Sequence, residues 1–180
     1  MTQVYTCERK CCVIETSTKN VHLIHRPRRG HCRKAGIFLY DPEEERVLLV
    51  QSRGLLWGPP KGTLEMELRE TPLQCALREV KEETGLEIRV EDLKRVTKIK
   101  NRATYYYSEI KSSPVHIQGE NSENDADGIT WIKLSCLQKH VEDGSIVLNQ
   151  HCRILLKKFL GVLFSNAEFT KVEKRKKSSN

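Results

Sequence analysis

Three glutamates in one short segment could hold a divalent cation. Glu79, Glu82 and Glu83 are spaced i, i+3 and i+4, so a helix would place them on one face. Three like charges this close repel one another, and a positive group among them would relieve that repulsion. Carboxylate oxygens favour Mg²⁺ or Mn²⁺ over zinc. The alternative is an acidic helix face that is simply solvated.

The segment has the signals of an amphipathic helix. Thr71 is suited to an N-cap, Pro72 to the first helical position, and Gly85 to a left-handed C-terminal stop. An apolar face lies beside the acidic one, formed at helical spacing by Leu73, Leu77 and Val80.

The wider motif resembles the box of the Nudix hydrolases, G-x5-E-x7-R-E-U-x-E-E-x-G-U, where U is aliphatic. Glu70 is followed by seven residues and then by Arg78-Glu79-Val80-Lys81-Glu82-Glu83-Thr84-Gly85-Leu86, so every defined position from Glu70 onward matches. Seven residues, not five, separate Gly62 from Glu70, and a strict count would put the glycine position at Leu64. We interpret the difference as a two-residue insertion within residues 63–69.

This resemblance implies a role for each residue of the box. Glu79, Glu82 and Glu83 would bind the metal, and Glu79 is also a candidate general base. Arg78 would be an ion-pair partner within the box, and Glu70 would support the geometry of loop and helix. The metal would neutralise a pyrophosphate and lower the pKa of a bound water, which then attacks phosphorus in line.

Two further metal ligands follow from the same resemblance. Lys61 precedes the glycine and would offer its backbone carbonyl. Asp125 lies six residues before Trp131, where the family often places an acidic ligand, and Glu123 is the alternative. An acidic turn without a ligand role is an equally open interpretation of this segment.

The loop before the box bears on the substrate. Pro60-Lys61-Gly62 resembles the mRNA-decapping enzymes and the diadenosine tetraphosphate hydrolases, and Lys61 could contact a phosphate in either. Trp57 could stack on a base, although a packed loop anchor is the commoner role. Tyr105, Tyr106 and Tyr107 would alternate faces of a strand, so Tyr106 could offer a ring to a base or pack in the core.

Charge favours a polyanionic substrate. The net charge of +7 is concentrated at the ends, with +6 over residues 1–34 and +4 over residues 171–180. Because an RNA body rewards basic residues beyond the active site, we favour capped RNA over a dinucleotide. Solubilising ends are the alternative. A diphosphoinositol polyphosphate hydrolase and a non-catalytic Nudix-fold binding module are further alternatives, although the box keeps all its carboxylates.

The seven cysteines do not indicate a disulfide framework, because their number is odd and no apolar signal core precedes them. Cys75, Cys136 and Cys152 lie in apolar-patterned segments typical of core residues. The N-terminal segment could instead bind a structural Zn²⁺ through Cys7, Cys11, His31 and Cys32, with His22 as an alternative ligand, or form a strand extension with reduced thiols.

These elements predict an α/β protein, a Nudix-type α/β/α sandwich with a mixed β-sheet. Residues 1–34 form a basic Cys/His-rich segment, 35–164 the Nudix domain and 165–180 a basic tail. Strands are expected at 34–40, 46–51, 96–100, 104–109, 115–118 and 129–132, and a second amphipathic helix within 146–164, with Ile154, Leu155, Phe159 and Leu163 inward. No apolar run could span a membrane, so we expect an intracellular, cytoplasmic rather than nuclear, protein without a membrane partner.

Overall fold

The computed structural model describes residues 2–17, 33–52, 55–118 and 126–163. Its strands are β1 Thr2–Thr6, β2 Val13–Ser17, β3 Lys34–Asp41, β4 Arg46–Ser52, β5 Leu56–Gly58, β6 Lys61–Thr63, β7 Leu93–Ile99, β8 Ala103–Glu109, β9 Gly128–Lys133 and β10 Val147–Leu148. Its α-helices are α1 Pro72–Thr84, α2 Leu134–Glu142 and α3 Gln150–Leu155, and a π-helical turn at Leu156–Leu160 continues α3.

The strands form one mixed sheet. Seven of them follow the order β1-β2-β9-β4-β3-β8-β7, while β6 pairs with β3, and β5 pairs with both β4 and β10. The pairs β3–β8 and β5–β10 are parallel and the others are antiparallel. Because β3 is central and runs parallel to β8, its apolar residues are buried along nearly its whole length.

Two hydrophobic cores lie on the two faces of this sheet. One contains Cys75, Ala76 and Val80 of α1, packed against side chains of β3, β4 and β9. The other contains residues of α2, α3 and the π-helical turn, including Leu137, Leu155 and Phe159, together with Tyr105 and Tyr107 of β8. Helices on both faces of a mixed sheet confirm the expected α/β/α sandwich.

Helix α1 begins and ends at the residues that the sequence predicts. The backbone amide of Gln74 donates a hydrogen bond to the Thr71 hydroxyl oxygen at 3.3 Å, and the backbone amide of Thr71 donates to Gln74 Oε1 at 2.9 Å. Pro72 is the first helical residue, and Gly85 closes the helix at φ 75°. This capping box fixes where the helix starts, and therefore which residues it turns towards β6.

Two sequence expectations differ from the structure. Residues 115–118 do not pair as a strand: Val115 and Ile117 pack partly buried against the core of α1, which produces the alternating pattern. The expected helix does lie within 146–164, and it starts at Gln150, because Asn149 caps it and residues 147–148 pair with β5. Leu163 is exposed rather than inward, at 72%.

The N-terminal segment contains a β-hairpin, formed by β1 and β2, which joins the sheet through β2 and β9. Both strands lie within residues 1–34, the segment for which a strand extension was one of the two alternatives. Helix α2 was not anticipated, because it follows β9 directly and has no side-chain cap. Within the described residues, no helix is long and apolar enough to cross a membrane.

Candidate active site

Strand β6 brings Gly62 against the carboxylate of Glu79 on α1. A Cβ atom added to Gly62 would lie 1.8 Å from Glu79 Oε1, so no other residue fits while Glu79 keeps this position. Gly62, rather than Leu64, therefore occupies the position of the box glycine, and Leu64 is a core residue with 6% exposure.

The carboxylate of Glu83, one turn after Glu79 on the helix, is held by the backbone of strand β6. The Lys61 amide donates a hydrogen bond to Glu83 Oε2 at 2.8 Å. The Glu83 side chain is buried, with 4% exposure. The role of the Lys61 carbonyl as a metal ligand stays a prediction.

Arg78 links the carboxylates of the box. Its Nε donates to Glu70 Oε1 at 2.8 Å, and its Nη1 donates to Glu79 Oε1 and to Glu82 Oε2 at 2.9 Å each. Its Nη2 reaches Glu70 Oε2 at 3.1 Å and the Thr63 carbonyl at 3.3 Å. A planar guanidinium with five donors can serve these acceptors at once, which an ammonium cannot.

The extra residues between Gly62 and Glu70 form a short turn. Residues 66–68 make one turn of 3-10 helix, and Arg69 adopts a left-handed φ of 54°. The Glu65 amide donates to Glu70 Oε2 at 2.9 Å, and the Glu70 amide donates back to the Glu65 carbonyl at 3.2 Å. The turn therefore absorbs the longer spacing, and Glu70 still reaches Arg78.

The residues of the box fit a hard divalent cation. Burial and the charges of Glu82 and Glu70 raise the pKa of the Glu79 carboxyl, although Arg78 opposes the shift. Around it, the carboxylates of Glu70, Glu79, Glu82 and Glu83 outnumber the neighbouring cations Arg78 and Lys61. A partly buried carboxylate beside a glycine, crowded by like charges, is the setting that a Mg²⁺ or Mn²⁺ ion would stabilise.

Three residues that the sequence did not predict as site residues lie beside this acidic cluster: Lys34, Tyr105 and His151. The His151 Nδ1 and the Tyr105 hydroxyl are 2.9 Å apart. Burial, followed by the charges of Lys61 and Lys34, lowers the pKa of His151. The charge of Glu83 contributes to a raised pKa of Tyr105, after burial and Cys152. No motif marks these residues, because strands β3 and β8 and helix α3 bring them together from distant parts of the chain.

Packing against the core, the alternative already open from the sequence, accounts for Trp57 and for part of the Tyr106 side chain. Trp57 is buried at 3% exposure in the core of α2 and α3, where its ring packs beside Gly128, so it is not free to stack on a base. Tyr106 packs partly buried on the sheet face of α1. Its neighbour Tyr105 lies on the opposite face, because consecutive side chains of a strand alternate, and there the charge of Glu83 contributes to its raised pKa after burial and Cys152.

The remaining predicted ligands are only partly covered by the structure. Asp125 and its alternative Glu123 lie outside the described residues, as do His22, His31 and Cys32. Strand β9 follows Asp125 in the sequence. Because β4 is antiparallel to both β3 and β9, the start of β9 lies at the same end of the sheet as the start of β3, where β6 pairs. Cys7 and Cys11 lie together elsewhere, with Cys12 and Cys136.

Comparisons with known proteins agree with this geometry. A family model described as the NUDIX domain matches residues 30–150. A relative from Invertebrate iridescent virus 3, named "Putative hydrolase 111R", is 32% identical over 133 residues, covering 72% of this chain and 77% of the relative.

Solved structures share the fold. The dihydroneopterin triphosphate pyrophosphohydrolase of E. coli is 17% identical, with a TM-score of 0.51, over 70% of this chain and 92% of that one. A bifunctional NMN adenylyltransferase/ADP ribose pyrophosphatase of Francisella tularensis is 20% identical, with a TM-score of 0.51, over 75% of this chain. The match spans only 42% of the Francisella chain.

The sandwich fold and the carboxylate box define a hydrolase of phosphoanhydride bonds, a class whose members use divalent metal ions. The chain belongs to the Nudix family.

Proposed function

We propose that this protein is a Mg²⁺- or Mn²⁺-dependent pyrophosphohydrolase whose favoured substrate is the 5′ cap of mRNA. The observation that supports a hydrolase activity is the packing of Glu79 against Gly62. In the same arrangement, the Lys61 amide holds Glu83, and Arg78 joins three carboxylates. Such a set presents several oxygen atoms to one ion and keeps its geometry fixed before substrate binds.

The side chains divide the chemical work among them. Glu79, Glu82 and Glu83 would hold the ion, which supplies charge neutralisation and an activated water when bound. Glu79 is the candidate base, as the resemblance of its box to that of the Nudix hydrolases implies. Arg78 positions the carboxylates, and Lys61 can contact a substrate phosphate.

Positive charge beside the acidic cluster supports a polyphosphate substrate. Burial, followed by the positive charges of Lys61, Lys34 and Lys100, lowers the pKa of His151, which pairs with the Tyr105 hydroxyl at 2.9 Å. These lysines could interact with the negative charge of a polyphosphate.

The basic ends favour capped RNA over diadenosine tetraphosphate. The Pro60-Lys61-Gly62 loop is compatible with both substrates, so it does not separate them. An RNA body continues past the scissile bond and can meet the basic residues of 1–34 and 171–180, whereas a dinucleotide ends within a local pocket.

A hydrolysis panel tests the proposal. Capped RNA and diadenosine tetraphosphate are compared at matched concentration with Mg²⁺ or Mn²⁺, using Glu83→Gln as the inactive variant and the exposed Glu87→Gln as its matched control. We expect release of methylated GDP from RNA, abolished in Glu83→Gln and retained in Glu87→Gln. Preference for the dinucleotide would reassign the substrate, and hydrolysis of neither would contradict the proposal.

A further inference from the structure

Three cysteines of the turn between β1 and β2 meet the sequence-distant Cys136 at one corner of the molecule. The Cys11 Sγ lies 3.5 Å from Cys7 Sγ, 3.6 Å from Cys12 Sγ and 3.3 Å from Cys136 Sγ. All four sulfur atoms lie within 4.8 Å of one another. Cys7, Cys12 and Cys136 are buried and Cys11 is partly buried.

The spacing of the sulfur atoms matches a tetrahedral metal site. Zinc binds thiolate sulfur at about 2.3 Å, which corresponds to sulfur–sulfur edges of about 3.8 Å in a tetrahedron. The four sulfur atoms come from the turn between β1 and β2 and from the first turn of α2. Soft thiolate ligands select zinc over the hard cations that suit the glutamates of α1.

The backbone around the cluster is arranged as at a structural metal site. The Lys133 amide donates a hydrogen bond to Cys12 Sγ at 3.3 Å. The turn is closed by the Cys7 amide, which donates to the Cys12 carbonyl at 2.9 Å, and by the Lys10 amide, which donates to the Cys7 carbonyl at 2.7 Å. Such outer contacts orient metal ligands and offset their negative charge.

Outside the cysteines, the hairpin is held by backbone pairing and by a few polar contacts, among them the Thr130 hydroxyl donating to the Val13 carbonyl and the Ile117 amide donating to Glu15 Oε1. All five residues of β1 are exposed, and β2 pairs with β9 through only three residue pairs. A two-stranded hairpin is marginally stable by itself. Cys7, Cys11 and Cys12 of the hairpin turn and Cys136 of α2 would together tie the N-terminal segment to the body.

This cluster is separate from the carboxylate site. Lys133, which contacts Cys12, pairs with Arg46 at the start of β4, and Arg46 pairs with Asp41 at the end of β3. The carboxylates lie by β6, which pairs with residues 34–36 at the start of β3. The two groups therefore occupy opposite ends of the sheet.

We propose that Cys7, Cys11, Cys12 and Cys136 bind one structural Zn²⁺ ion that fastens the N-terminal hairpin to helix α2. Cys7 and Cys11 are shared with the ligand set suggested by the sequence, whereas Cys12 and Cys136 take the places of His31 and Cys32. The ion would stabilise the fold and would take no part in hydrolysis.

Metal analysis of the full chain, purified without a histidine tag and dialysed against Mg²⁺, tests this proposal. We expect about one zinc per chain, retained in Glu83→Gln and in the matched buried-cysteine control Cys152→Ala, and lost in Cys136→Ser. Zinc that is lost in Cys32→Ser but retained in Cys136→Ser would overturn the assignment. Absence of stoichiometric zinc, with the thiols either reduced or joined as disulfides, would also overturn it.

Thiol alkylation of the wild-type chain keeps the test independent of variant folding. With metal bound, Cys7, Cys11, Cys12 and Cys136 should resist alkylation, and a zinc chelator should make all four reactive while Cys75 and Cys152 stay unchanged. The chelator should also lower the Tm of the wild type. Protection that does not change on chelation would show buried thiols without a metal and would overturn the proposal.

Discussion

At the scale of single residues, the geometry of the site depends on Gly62 and Arg78. Gly62 leaves the space that the Glu79 carboxylate fills, and Arg78 joins Glu70, Glu79 and Glu82 with one planar group. Gly62 acts through space alone, whereas Arg78 both positions the carboxylates and lowers the pKa of Glu70 through its hydrogen bonds.

Gly62→Ala should cost about 100-fold in kcat/KM, because the new methyl group displaces the Glu79 carboxylate from its present position. Steady-state hydrolysis with Mg²⁺ measures the loss. Met66→Ala, an exposed change in the neighbouring turn, is the control and should keep activity. Equal activity of wild type and Gly62→Ala would show that Glu79 does not need this position.

Arg78→Lys should weaken activation by Mn²⁺ by about 10- to 100-fold, because one ammonium cannot hold Glu70, Glu79 and Glu82 together. The readout is the Mn²⁺ concentration that gives half-maximal activity. Arg89→Lys changes an exposed pair with Asp92 and serves as the matched control. An unaltered Mn²⁺ midpoint in Arg78→Lys would remove Arg78 from the positioning of the ligands.

At the scale of elements, buried Asp41 joins the β3–β4 turn to the chain that follows β8. Its Oδ1 accepts from the amides of Glu43 and Glu44 at 3.0 and 3.2 Å, and its Oδ2 accepts from the Ser112 amide at 2.7 Å. Burial opposes ionisation, but the hydrogen bonds from Ser112, Glu44 and Glu43 outweigh it and hold the pKa of the Asp41 carboxyl below its ordinary value.

Asp41→Asn should lower the free energy of unfolding by about 1.5–3 kcal/mol near neutral pH, since the charged acceptor is lost. A depressed carboxyl pKa adds stability that is present above the ordinary value of 3.8 and lost as pH falls through the lower native value. Urea unfolding should therefore show the two proteins converging in acid. A difference that stays constant down to about pH 2 would contradict this linkage.

At the scale of the whole molecule, the carboxylates of the site lie in the central part of the chain, whereas the positive charge is concentrated at its two ends. The +4 segment of residues 171–180 lies outside the described structure, so its contribution is argued from charge alone. Phosphate contacts by Lys and Arg add sequence-independent affinity that falls with salt.

Deleting residues 171–180 should weaken binding of capped RNA by at least about tenfold at low salt and reduce the salt dependence. Turnover of a small nucleotide should stay unchanged, which is the internal control. Equal RNA affinity with and without the tail would make these residues solubilising rather than RNA-binding.

The sequence by itself determined the parts that depend on local spacing. The capping box at Thr71, the stop at Gly85 and the shared face of the glutamates follow from helix geometry, since neighbours along one helix have fixed relations. The strands of the central sheet were also predictable, because their apolar runs are bounded by turns. The insertion after Gly62 could be inferred, but the 3-10 turn that absorbs it could not.

The tertiary structure decided which distant residues share a site. Lys34, Tyr105 and His151 come from separate elements, and the parity of β8 selects Tyr105 rather than Tyr106. Burial of Trp57 and the meeting of Cys136 with Cys11, 125 residues away, likewise depend on sheet order. Local spacing carries no information about such contacts, because packing of the sheet and helices alone sets them.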